Sequence, residues 1–178
     1  MKKPYLLIAM ITFAVSISCI ITGTVTLEPP DQTLGSIRGT LWHEICDFSG
    51  GEAGEPVVLG EGCVQWGSAV GEFGPNQKKD DFETGWTGVT LHLGSGTCPS
   101  AGLGTAITNA AGEYQFEGLG AGTYCVSYSN LSDGNDAALI PGEPTFPVRG
   151  EDGFFVTVVL SAAEAKTVDF GYAWQFYN

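Results

Sequence analysis

Two histidines, four tryptophans and five cysteines carry most of the chemistry this 178-residue chain could perform. The run His43-Glu44-Ile45-Cys46-Asp47 holds the first half of a zinc-protease HExxH motif. Its second ligand position is Asp47, however, and no helical periodicity surrounds it. His92 stands in Thr90-Leu91-His92-Leu93, where apolar-polar alternation puts it on a solvated strand face. No serine has a G-x-S-x-G setting. Carboxylates are plentiful, but a glycosidase pair needs a deep cleft, and short strands joined by tight turns do not supply one. No catalytic residues are expected, and the chain reads as a non-enzyme.

The tryptophans offer a different chemistry. Flat aromatic faces stack on sugar rings, and Trp42, Trp66 and Trp86 border or lie inside one irregular stretch, with Trp174 near the last residue. A carbohydrate-binding platform on Trp42, Trp66 and Trp86 is therefore the alternative function. The competing expectation is an aromatic mini-core that seals the stretch against the rest of the domain.

Cys46, Cys63, Cys98 and Cys125 form an even set in a chain built for export, so two disulfides are expected. Three pairings are open in principle. The two that each close one local segment, Cys46–Cys63 and Cys98–Cys125, are preferred. A zinc site is the rival use, but no CxxC pair is present.

Elements that could position these residues are almost all strands. Short alternating runs punctuated by glycine mark an all-β sandwich of about seven strands. These lie at Ser36–Trp42, Gly88–Leu93, Gly104–Thr108, Tyr114–Glu117, Gly122–Tyr128, Phe154–Leu160 and Thr167–Ala173. The stretch 160–167 could form a helical turn but fits a strand connection better, and 63–70 could add a short strand. In Thr108–Tyr128, Tyr114 and Phe116 share one face, and Tyr124, Val126 and Tyr128 share another, so these aromatics read as core. The segment from Trp42 to Trp86 is too long to be a structureless loop in a compact domain, and a Cys46–Cys63 bridge would tie it down. The acidic run Ser132-Asp133-Gly134-Asn135-Asp136 lacks EF-hand spacing and reads as an Asx-rich turn.

The chain opens with Lys2 and Lys3 and an apolar run from Tyr5 to about Ile21, the layout of an export signal. Residues 1–21 are expected to be a signal peptide, a lipoprotein leader with Cys19 as the lipidated residue, or an uncleaved anchor. Residues 22–35, with Pro29 and Pro30, read as a linker, and 36–178 as the domain. No apolar tail or sorting motif is seen near Trp174, so membrane attachment is expected only at the N-terminus. Beyond the leader, five basic residues face all 20 acidic ones, a net charge of about −15. Such a surface excludes nucleic acid as a natural partner, because phosphate binding needs clustered cations. It attracts divalent cations.

The runs at 35–42, 84–93, 108–128 and 166–172 together resemble the B-type repeat domains of the serine-aspartate repeat surface proteins, SdrD B-like members of the prealbumin-like, Cna-B-like sandwiches. The central motif is long and specific: Thr108, Gly112, Tyr114, Phe116, Leu119, Gly122, Tyr124 and Val126. Asp169-Phe170-Gly171-Tyr172 matches the closing strand. The resemblance implies an exported, non-catalytic structural or adhesive module at the cell surface, with an unidentified surface protein or glycan as its partner. It also implies a calcium loop after the first strand. An insertion splits that loop here, leaving Glu44 and Asp47 on one side and Asp80, Asp81 and Glu83 on the other; these five are the expected ligands, with calcium the only cofactor in view. Lys78 and Lys79 beside the second group weigh against it. The isopeptide crosslink of some Cna-B-like domains is not expected: Arg38 stands in the first strand, and Lys166 lies at the start of the last. An open sheet edge could also take a partner's strand by β-augmentation.

Overall fold

A computed structural model describes residues 33–51, 55–67 and 72–174. The expected leader, Cys19 and most of the linker lie outside these residues.

Two sheets face each other across one core. The first is built on β1 (Gly35–His43). From far along the chain, β8 (Glu113–Leu119) runs antiparallel along one edge, pairing Ile37 with Phe116. Along the other edge run β12 (Ala165–Thr167) and then β13 (Phe170–Trp174), both parallel to β1, and β10 (Gly142–Phe146) closes that side against β13. The second sheet has the order β11 (Phe155–Leu160), β9 (Gly122–Tyr128), β6 (Thr90–Ser95) and β7 (Gly104–Ile107). This is the Ig-like sandwich of the sequence reading, with strand ends displaced by two residues at most.

Alternation decides which side chains meet. Tyr114 and Phe116 from β8, Tyr124, Val126 and Tyr128 from β9, and Leu91 and Leu93 from β6 all point inward. Phe170 sits at their centre, with its ring centroid 5.1 Å from that of Tyr128 and 6.4 Å from that of Tyr114. The Tyr128–Phe170 pair is edge-to-face, an arrangement that adds to area burial because the positive ring edge meets the negative face. The outward residue of β9, Cys125, is buried as well, beneath its disulfide to Cys98.

The last predicted strand, Thr167–Ala173, is broken in two. At the break the Val168 N–H donates to the Arg38 carbonyl, and the Asp169 carboxylate accepts the Thr40 N–H at 2.8 Å, replacing a ladder bond. The backbones come so close there that a Cβ on Gly39 would lie 1.6 Å from the Val168 carbonyl oxygen. Gly112 ends the Asn109–Gly112 turn at φ +76°, where the Asn109 side chain accepts the Ala111 and Glu113 N–H groups.

The irregular stretch after β1 folds into two small hairpins, β2 (Phe48–Ser49) with β3 (Val58–Leu59), and β4 (Cys63–Gln65) with β5 (Phe73–Pro75). The Cys46–Cys63 bond ties β4 to the end of β1, with the two Cα atoms 4.6 Å apart. The Asx-rich run forms a turn that leads into a single helical turn, α1 (Asp136–Leu139). Residues 161–164 connect β11 to β12, and no helical turn forms over 160–167.

Candidate functional site

The insertion packs on the outer face of the first sheet, where β1 runs out beside β13 and β10. Strand alternation sends Leu41 into the core and Trp42 outward, so Trp42 covers the bare backbone of Gly171 and stacks on Phe146 at 5.4 Å. At 3% exposure, Trp42 is part of a buried seam and no platform for a ligand. His43, next along the strand, turns its ring between Trp86 at 4.8 Å and Trp174 at 5.4 Å. Trp86 is half-buried and donates from its indole to the Tyr172 carbonyl. The expected Trp42–Trp66–Trp86 platform is therefore not formed, because two of its members are drawn into packing by the sheet beneath them.

The expected calcium ligands also have other work. Glu44 is 1% exposed and Glu83 is 4% exposed. One Glu44 oxygen accepts the Gln77 N–H and the other accepts the Thr145 hydroxyl. The two Glu83 oxygens accept the N–H groups of Ile45 at 2.8 Å and Asp80 at 2.9 Å. Asp80 takes the Asn76 amide at 2.7 Å, while Asp47 and Asp81 are exposed. Among the described residues, no three Asp, Glu, His or Cys side chains are grouped so as to hold a metal ion. What the sequence placed as a split loop is a pair of carboxylate pins: Glu44 and Glu83 fasten the 76–83 segment to the end of β1. Burial pushes both carboxyls up from the ordinary glutamate range, with their mutual repulsion adding to Glu44, and the donated hydrogen bonds pull the other way.

Between the insertion and the sheet lies a cleft of about 410 Å³. His43 and Trp174 form one side, Phe48 and Phe73 belong to the insertion, and Glu143 and Arg149 come from β10 and the loop after it. Trp66 also lines it, 41% exposed, with its benzo ring directly over Gly74. The Arg149 guanidinium lies 3.5 Å above the Trp66 ring centroid and pairs with the Glu143 carboxylate. Burial pulls the His43 imidazole pKa down, so the ring is neutral at pH 7. Trp174, Arg149, Glu143, Phe48 and Phe73 are members the sequence reading does not place here. Trp174 was counted among the tryptophans, but nothing in its surroundings says that it meets His43.

The other singled-out residues lie elsewhere. His92 is on the solvent side of β6, as alternation placed it, and contacts Asp133 at 2.9 Å. Lys166 is in β12 opposite Ile37 and pairs with Glu164 at 2.8 Å.

A two-sheet, immunoglobulin-like sandwich with a disulfide-tied insertion is the class of protein these features define. No family model matches the chain. It is 30% identical over 94 residues to serine-aspartate repeat-containing protein F of Staphylococcus epidermidis, a match over 53% of this chain and 6% of that protein. It is 34% identical over 95 residues to serine-aspartate repeat-containing protein C of Staphylococcus aureus, over 53% of this chain and 10% of that one. The chain thus spans a tenth or less of the curated relatives it matches. A solved structure of GBS52, the minor pilin of Streptococcus agalactiae, is similar at a TM-score of 0.42 and 11% identity, covering 83% of this chain and 47% of the pilin. The relatives matched are of the kind that the strand motifs resemble: over about half its length the chain is similar to serine-aspartate repeat-containing proteins, and its fold is an immunoglobulin-like β-sandwich.

Proposed function

We propose that this chain is a non-catalytic structural or adhesive module held outside the cell or in the cell envelope. The observation that carries the reading is the match of 94 and 95 residues to two serine-aspartate repeat-containing proteins, together with the two-sheet sandwich that the strand motifs lead one to expect. Two disulfides support an oxidising location, since cytosolic thiols are kept reduced. The absence of catalysis is supported by how the polar side chains are used. The buried carboxylates accept backbone and hydroxyl hydrogens, and His43 is packed between indoles. An N-terminal tether, through an uncleaved leader or a lipid on Cys19, is proposed to keep the domain at the membrane surface.

Surface labelling tests this. An antibody raised against residues 36–178 should label intact host cells, and brief external protease should remove the signal. Labelling only after permeabilisation would sink the reading. Replacing Cys19 by serine should release the protein to the medium, or leave it in place if the anchor is the uncleaved leader.

A further inference from the structure

We propose that the cleft between the insertion and the first sheet receives a lysine or arginine side chain of a partner protein, laid against Trp174 and His43 and answered by Glu143. The inference rests on the adhesive reading for the partner being a protein.

The chain makes this interaction with itself. Arg149 lays its guanidinium on Trp66 and pairs with Glu143, so the cleft already holds one cation by an aromatic face and a carboxylate. Further aromatic surface lies in the same cleft, in His43, Trp174, Phe48 and Phe73. Trp174 is 38% exposed and Phe48 is 45% exposed. An indole face is the best aromatic partner for an ammonium or guanidinium, and the aliphatic stem of such a side chain packs on rings and on Pro75.

Charge favours the same class of ligand. The titratable groups lining the cleft are His43, Glu44, Glu143 and Arg149; Glu44 is buried with both oxygens accepting hydrogen bonds, so Glu143 is the lining carboxylate open to a ligand. The whole chain carries a net charge of −13, a field that steers cations in and acids away. Either charge must compete with the Arg149–Glu143 pair, an anion for the guanidinium and a cation for the carboxylate, and the field of the chain favours the cation. A neutral sugar finds Trp66 hemmed between Arg149 and Gly74, where a Cβ would come within 2.0 Å of the ring. A volume of about 410 Å³ suits a side chain with its stem and flanking backbone.

The test is a titration of the full chain, followed by the indole N–H signals of Trp66 and Trp174 and the ring signals of His43. The probes are acetyl-Gly-Lys-Gly-amide and acetyl-Gly-Arg-Gly-amide, with the norleucine tripeptide and cellotetraose as controls. The basic peptides should shift these signals saturably, and binding should weaken several-fold between about 50 and about 500 mM salt. E143Q should weaken binding about fivefold, and R149Q should strengthen it about threefold by vacating Glu143 and Trp66. Arg149 is exposed and Glu143 half-buried, and the folded spectrum itself checks that the domain survives either change.

No shift with either basic peptide, or equal binding of the norleucine peptide, would overturn the proposal. So would cellotetraose moving the same signals where the peptides do not, or R149Q weakening peptide binding. If the peptides bind as expected while intact cells fail to label, the cleft stands and the adhesive reading falls.

Discussion

Glu83 and Glu44 look alike in sequence and in burial, yet their replacement by glutamine should have unequal effects. Both Glu83 oxygens accept backbone N–H groups, from Ile45 and Asp80. Neither donor can reverse, so in E83Q one N–H faces an NH₂ group. A buried donor left unsatisfied costs about 1–3 kcal/mol, and the surviving bond loses its charge assistance. Removing a desolvated charge that repels Glu44 offsets part of this. A net loss of about 2 kcal/mol follows. Glu44 accepts one backbone N–H, from Gln77, and one hydroxyl, from Thr145. A threonine hydroxyl rotates, so the E44Q amide can donate to it while the amide oxygen keeps Gln77. That change should fall within about 0.5 kcal/mol of wild type. For a domain of this size, 1 kcal/mol moves Tm by roughly 3–5 °C, so E83Q should melt well below both wild type and E44Q at pH 7. Thermal and urea melts of the disulfide-intact protein measure this directly. If E44Q loses as much as E83Q, the two carboxylates do not work as described.

Three further outcomes follow from the same structure. Glu44 is held above its ordinary value of 4.5, so its contribution to stability is fully present below that pH and is lost as pH rises through the raised folded value. The urea midpoint of wild type should therefore fall relative to that of E44Q from pH 4.5 upward, and a pH-independent difference between them would refute the burial argument. G39A should destabilise by about 1–3 kcal/mol or prevent folding, because its Cβ meets the Val168 carbonyl, whereas G104A, with nothing within 4 Å, should be neutral or slightly stabilising in the same melts. The double variant C46S/C63S removes a crosslink across 17 residues, of order 3 kcal/mol in the chain-entropy account, and should speed tryptic cleavage at the exposed Lys78 and Lys79. C98S/C125S should leave cleavage there close to wild type until the whole domain melts.

How much of this was legible in the sequence depended on whether a residue's role was local. Tyr114, Phe116, Tyr124, Val126 and Tyr128 announced themselves as core by period-two alternation, and the structure buries all five. β10 was missed because Pro141, Pro144 and Pro147 argue against a strand. Its place at the edge of the first sheet tolerates them, since one side of an edge strand needs no N–H donors. The break at Val168–Asp169 was missed because the Asp169 side chain imitates a ladder acceptor, a role no local pattern marks.

The candidate site was less legible still. A tryptophan in sequence carries no mark of whether a sheet lies beneath it. Trp42 and Trp66 were equal candidates until alternation on β1 turned the first onto Gly171 and the second hairpin of the insertion held the other in the cleft. Acidic residues on both sides of an insertion read as ligands awaiting an ion, but backbone N–H groups reached Glu44 and Glu83 instead.

By itself, then, the sequence determined the sandwich, its aromatic core and the strands that build it, because hydrophobic periodicity and glycine turns act over a few residues. Only the tertiary structure decided that Arg149 would lie on Trp66, that His43 would stand between two indoles, and that two glutamates would pin the insertion to the sheet. Those pairings join segments far apart in the chain. They form only after the sheets have brought the segments together, where desolvation and donor geometry, not spacing, choose the partners.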